Sequence, residues 1–273
     1  MIQCNNWPVG FCSWSLGNDF DKIKTLVGQT GLTHVHLAAT PALAADGDKF
    51  LAAVKRLHLQ VSATMIDFPQ EDYSTLDSIK ATGGIVPDNC WNENKQRVLD
   101  AVNLTVRLDV KFLTTHFGFL DLENPAMAKK LLDRVKILAD KAAKKSVILL
   151  METGQETADE LKTFLEKLNH PALAVNFDPA NMILYNKGDP IQAVQTLARW
   201  IKHIHIKDAA RTQTPGTWGA EVPWGKGQVG TAEFLRTLKQ INFKGALAVE
   251  REAGDDRIGD IKSAVDMLKT FKG

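Results

Sequence analysis

Four residues carry the chemistry most visible in this sequence: Glu152 in "VILLMETG", Asp178 in "LAVNFDPAN", His205 in "IKHIHIKDAAR" and Glu250 in "ALAVERE". Each stands at or near the end of an apolar run, where an unpaired charge is costly. Taken singly, a carboxylate there reads as a helix N-cap or the partner of a nearby lysine. Taken together, three carboxylates and an imidazole make a mostly hard donor set that suits Mn²⁺, Mg²⁺ or Co²⁺ and also accepts Zn²⁺. One divalent cation would supply the missing partner for all four. No thiolate accompanies them, which argues against a structural zinc site. His203 and His205 share a strand face because side chains alternate. His205, nearer the end, is the better ligand, and His203 lies deeper, hydrogen-bonded within the core.

Residues so far apart in sequence need a scaffold that brings strand ends together. Eight apolar runs of strand length recur at 9–15, 34–38, 60–66, 111–118, 147–152, 173–178, 201–207 and 246–252, with helical periodicity between them. The clearest helices are 124–145, with Asn124 as N-cap and Pro125 at the first helical position, and 157–168, with Thr157 and Glu160 in capping-box spacing. Near-continuous apolar strands alternating with helices predict parallel strands buried on both faces. At 273 residues they close as a single (β/α)₈ TIM barrel, an α/β fold spanning 1–273. A doubly wound open sheet is the runner-up, but no GxGxxG follows the first strand. Functional residues of a barrel gather at the C-terminal strand ends, where Glu152, Asp178, His205 and Glu250 fall on the last four strands. Two stretches, 67–92 and 208–229, read as long loops without evident secondary structure, which compact domains keep mainly to cover sites.

The chain's charge narrows its partners. With 33 basic and 32 acidic residues the formal net charge is +1, so neither nucleic acid nor an anionic membrane surface is expected, and a small molecule fits better. Three cysteines without a CxxC pair argue for a reducing compartment. The N-terminal stretch lacks the charged and apolar regions of a signal peptide, and no stretch has the length of a membrane span, so a cytoplasmic location is expected.

The motifs "ETG", "FDPAN", "HIHIKD" and "VERE", together with "THFG" at His116 and Arg211 six positions after His205, resemble the sugar phosphate isomerase/epimerase superfamily of xylose-isomerase-like barrels, which includes ketose 3-epimerases, inosose dehydratases and endonuclease IV. The resemblance covers essentially the whole chain. It implies one divalent metal held by Glu152, Asp178, His205 and Glu250, with Glu152 and Glu250 doubling as acid and base on a keto-sugar or polyol, or its phosphate. Such a metal stabilises an enediolate, and glutamates on opposite faces of a carbon invert it by removing and returning a proton. The same intermediate expels a β-substituent when an acid stands near the leaving oxygen, so a dehydratase or lyase is the alternative, and a non-catalytic sugar-binding barrel the second. Asn181 departs from the pattern, since ketose epimerases commonly carry His there. The nuclease branch needs further metal ligands and a basic surface. Members often form homo-oligomers, and the resemblance extends that option to this chain.

Further residues offer substrate contacts. His116 reads equally as a hydroxyl contact or a core histidine. Asn181 stands three positions after Asp178, where the substrate contact of ketose epimerases falls. Lys207 and Asp208 orient substrate or pair with each other. Arg211 presents a planar donor fork for a substrate oxygen or phosphate. Trp218 and Trp224 either lay an aromatic face over a sugar ring or anchor their loop. Trp14 and His36 read better as core, and Glu252 as a neighbour of Glu250 or a helix cap.

Overall fold

The computed structural model describes residues 1–272. Eleven strands are present among them: β1 (Gln3–Cys4), β2 (Trp7–Cys12), β3 (His34–Ala38), β4 (Gln60–Met65), β5 (Phe112–Thr115), β6 (Ile148–Glu152), β7 (Leu173–Phe177), β8 (Ile201–Ile206), β9 (Asp208–Ala210), β10 (Ala220–Val222) and β11 (Ala246–Val249). Eight of them pair in parallel in the order β2-β3-β4-β5-β6-β7-β8-β11, and β11 returns to β2, so the sheet closes into a barrel. These are the eight expected runs: β3 matches its run, β2 begins two residues earlier and ends three sooner, and the others are shortened by up to a few residues. β1 folds back on β2 as an antiparallel hairpin.

Why the runs are apolar throughout is now plain. β3 and β7 are buried along their whole length, because one face fills the barrel and the other receives the helices. Phe11, Phe164, Phe177 and Phe234 are among the largest fully buried side chains. Both expected helices form. Asn124 caps Pro125–Ala143 by accepting from the backbone of Ala126 and Met127, and Thr157 and Glu160 close a capping box on Ala158–Leu168. No helix among the described residues is long and apolar enough to cross a membrane.

The long loops are more ordered than their composition suggests. The first contains the helix Leu76–Thr82, capped by the Thr75 hydroxyl on the backbone of Ser78; its roughly two turns were too short for periodicity to reveal. In the second, β9 and β10 form an antiparallel hairpin. Asp208 organises the rest of that loop, since its carboxylate accepts from the backbone of Ala209, Gly225, Gly227 and Val229. It is a loop-building residue rather than the partner of Lys207.

Candidate metal centre

The four ligand candidates reach the same end of the barrel from adjacent strands. Glu152 ends β6, His205 is the penultimate residue of β8, and Asp178 and Glu250 directly follow β7 and β11. One donor atom from each lies within 4.8 Å of all the others. The His205 Nδ1 is 2.9 Å from Glu250 Oε2, 3.2 Å from Glu152 Oε1 and 3.5 Å from Asp178 Oδ2. Glu152 Oε2, Asp178 Oδ2, His205 Nδ1 and Glu250 Oε2 are buried without a hydrogen-bond partner. Asp178 Oδ2, His205 Nδ1 and Glu250 Oε2 face one another and Glu152 turns Oε1 to the same point, with its unpaired Oε2 toward His116; buried groups so placed are costly unless a cation joins them. The residues therefore fit a divalent ion, which all four would hold.

Local structure sets their aim. Asp178 Oδ1 accepts from the Asn181 backbone and caps the helix Pro179–Leu184, which turns Oδ2 toward the site. The cap reading of this residue is realised, and its second oxygen is left facing the other three candidates. Thr153 clasps the ends of β6 and β7: its hydroxyl donates to the Asp178 carbonyl at 3.1 Å and accepts from the Asp178 N–H at 2.8 Å. The next residue must be glycine. Gly154 has φ 143°, and a Cβ there would stand 2.5 Å from that of Asn181. Asn181 in turn donates to Glu152 Oε1 at 3.3 Å. On the opposite wall the Trp14 indole N–H donates to Glu250 Oε1 at 2.5 Å.

Behind the site, a chain of contacts fixes how the His205 ring is oriented. His36 Nε2 lies 3.2 Å from the Thr64 carbonyl, which only accepts, so that nitrogen carries the hydrogen. Burial and the neighbouring His203 and His205 hold the His36 pKa well below its usual value, so its Nδ1 is an acceptor. His205 Nε2 lies 3.0 Å from that nitrogen and 3.1 Å from the Asn176 amide nitrogen, so it is engaged inside the barrel and Nδ1 is the atom left facing the three carboxylates. His203 sits deeper, between Ser62 Oγ and Asn176 Oδ1, as its position in the strand implied.

Electrostatics separates the carboxylates. Burial raises the pKa of Asp178 despite Lys207 and His205. For Glu250, burial is outweighed by Lys207, His205 and Trp14, and its pKa falls well below the usual range. Glu152 is also buried, but His116 and His205 hold its carboxyl below the ordinary value. Burial opposes charge on His205, yet Cys12 and the carboxylates, Glu250 and Glu152 foremost, hold its pKa well above 6.5.

A cavity of about 740 Å³ opens over the site. Of the predicted contacts, His116, Asn181 and Lys207 line it. His116 Nε2 is 3.6 Å from Glu152 Oε2, and the Lys207 Nζ lies 3.3 Å from Glu250 and 2.9 Å from Glu252. Arg211 is used elsewhere: its guanidinium donates to Asn186 Oδ1 and the Gly188 carbonyl, joining two loops outside the cavity lining. Trp224 is buried against Phe234 and anchors its loop, while Trp218 lines the cavity. Trp14 lines it too, and is not the core filler its place in the first run suggested. Glu71, Tyr73, Tyr185 and Glu221 had no motif to mark them. Glu71 comes from a long loop and Glu221 from β10, where the Arg251 guanidinium holds it at 2.7 Å.

Residues 20–271 match the family described as xylose isomerase-like TIM barrel. No curated protein matches the chain. Among solved structures, a xylose isomerase domain protein from Planctomyces limnophilus is 30% identical, with TM-score 0.89 and 97% of each chain covered. A xylose isomerase-like TIM barrel protein from Mycobacterium smegmatis in complex with magnesium is 18% identical, with TM-score 0.75, covering 99% of this chain and 98% of that one. D-psicose 3-epimerase with D-tagatose from Clostridium cellulolyticum H10 is 15% identical, with TM-score 0.71, covering 97% and 99%.

Proposed function

The chain belongs to the xylose isomerase-like TIM barrel family, and we propose that it is a divalent-metal-dependent isomerase or epimerase acting on a keto-sugar through an enediolate. The observation that carries this reading is the convergence of four buried side chains, three carboxylates and one imidazole, each with an unpartnered atom, at the floor of an open cavity. A bound cation supplies Lewis-acid stabilisation of the oxygens on which negative charge develops. Structural relatives that include sugar epimerases support the same class.

The protein's own groups divide the remaining work. Glu152 has one oxygen toward His205 and Asn181 and the other, Oε2, beside His116. That free oxygen is the base that removes the proton next to the carbonyl. Glu250, three strands further round the barrel, returns the proton in the epimerising direction. Lys207 is buried among Glu250, Glu252, Asp178 and Glu221. Burial works against its charge, but those carboxylates hold its pKa well above 10.5, so it offers the substrate a fixed cation for a hydroxyl or carbonyl oxygen. His116 and Asn181 fill the remaining polar positions around the ring.

Lys207 also favours a second reading. An ammonium beside the substrate is placed to assist a departing β-oxygen, which would turn the same proton abstraction into elimination. Proton NMR in D₂O with Mn²⁺-loaded protein, the ion being removed before spectra are recorded, distinguishes them across a panel of keto-sugars. Deuterium next to the carbonyl in recovered or epimeric sugar is the expected result, and an unsaturated product assigns the lyase. Absence of exchange with every ketone, at one bound metal per chain, refutes enolisation.

A further inference from the structure

The cavity is larger than a monosaccharide needs. Its volume of about 740 Å³ corresponds to about 25 water molecules at ~30 Å³ each. A hexose has about a dozen non-hydrogen atoms, each occupying no more than a water's share, and so takes at most about half of that space. The part beside Glu152, Glu250, Asn181 and Lys207 is polar. The lining also holds three further aromatic rings, Tyr73, Tyr185 and Trp218. Tyr185 and Trp218 pack edge to face at 4.7 Å, and the Tyr73 ring stands 6.3 Å from that of His116. Tyr73 is 44% exposed, although an aromatic side chain ordinarily hides such a surface.

The charge of the same space limits what enters it. Glu71, Glu221 and Glu252 join Glu152 and Glu250 in the lining. The cation among them, Lys207, is already matched by Glu250 and Glu252, and the Arg211 guanidinium is engaged by Asn186 and Gly188. A phosphate dianion would meet several like charges and no free arginine. We propose that the substrate is an uncharged keto-glycoside, its keto-sugar ring at the four ligands and a second ring, a sugar or an aromatic aglycone, against Tyr73, Tyr185 and Trp218. The keto-sugar half of this assignment rests on the enolising function proposed above; the two-ring half rests on the cavity alone.

Calorimetry on Mn²⁺-loaded protein with non-reacting probes tests the second half directly. Phenyl β-glucoside and methyl β-cellobioside are expected to bind at least about ten-fold more tightly than methyl β-glucoside, and methyl β-glucoside 6-phosphate at least about ten-fold more weakly. Trp218→Ala should bring the two-ring to one-ring ratio below about three, and Tyr73→Ala, at an exposed site that the fold does not need, should lower it in the same direction. Equal affinity for one and two rings, or tighter binding of the phosphate, overturns the proposal. Deuterium exchange into the corresponding keto-glycosides then tests the first half: loss of exchange with a retained two-ring preference refutes enolisation and leaves the subsite standing.

Discussion

Glu152 and Glu156 stand four positions apart in "ETGQE", yet the fold treats them oppositely, and the contrast gives a sharp test. Glu156 is buried in the loop after β6. Burial and the nearby Glu160 raise its pKa from 4.5 to about 8, against a smaller pull from Lys187. A carboxyl raised in the folded state binds its proton more tightly there than in the unfolded chain. Its contribution to stability is therefore complete below about pH 4.5, declines as the pH rises, and is gone above about pH 8. About 3.5 pH units at about 1.36 kcal/mol each set a ceiling of roughly 5 kcal/mol. Glu156→Gln keeps the shape of the protonated form and cannot ionise. Urea unfolding at pH 5 and pH 9 should show near-equal stability at the lower pH and a variant more stable by a few kcal/mol at the higher one. Because both proteins keep the same metal site, its own pH dependence cancels in the difference. A stability difference that is the same at both pH values, or a wild type that is the more stable at pH 9, refutes the assignment of a buried neutral carboxyl.

Glu152→Gln should lower the deuterium-exchange rate by at least about 10²-fold while thermal unfolding remains cooperative; exchange at the wild-type rate would remove Glu152 as the base. Metal uptake must displace a proton from His205 Nδ1, so calorimetry in buffers of different ionisation enthalpy should detect proton release, and affinity should rise with pH; saturation at about 1,000 times Kd stabilises the fold by about 4 kcal/mol. Trp14→Phe removes the indole N–H that fixes Glu250 and should weaken metal binding about 10- to 100-fold, read by competition with a chelating dye. Arg211→Ala should leave kcat/KM within about two-fold, because the guanidinium ties loops together outside the cavity and such a bond contributes about 1 kcal/mol to stability; a large rise in KM would place it at the substrate after all.

How much of this was legible in the sequence depended on what kind of order each feature obeys. The eight strands were readable because parallel strands buried on both faces leave long apolar runs, and the four candidate ligands because each interrupts such a run at or near its end. Trp224 and Trp218 show where that logic stops. Both sit in the same Gly- and Pro-bearing stretch with the same side chain, and their exchange of roles is decided by Asp208, whose four backbone contacts fold the loop so that Trp224 turns onto Phe234. Arg211 fails for a related reason: its spacing from His205 holds, but Asn186 and Gly188, brought close by a different loop, engage it first. Glu221 illustrates the converse. Nothing local marks it, and it acquires a place in the cavity wall through Arg251, the residue after a ligand, which binds Glu221 on one side and Asp260 on the other. The strand ends bring the reacting groups together, while the loops that carry the substrate's outer contacts are positioned by long-range polar pairs that sequence spacing does not encode. Chemistry in this barrel is therefore written in the strands and specificity in the loops, and the two should vary independently: exchanging the 208–229 loop ought to change which ring is accepted before it changes whether a proton is removed.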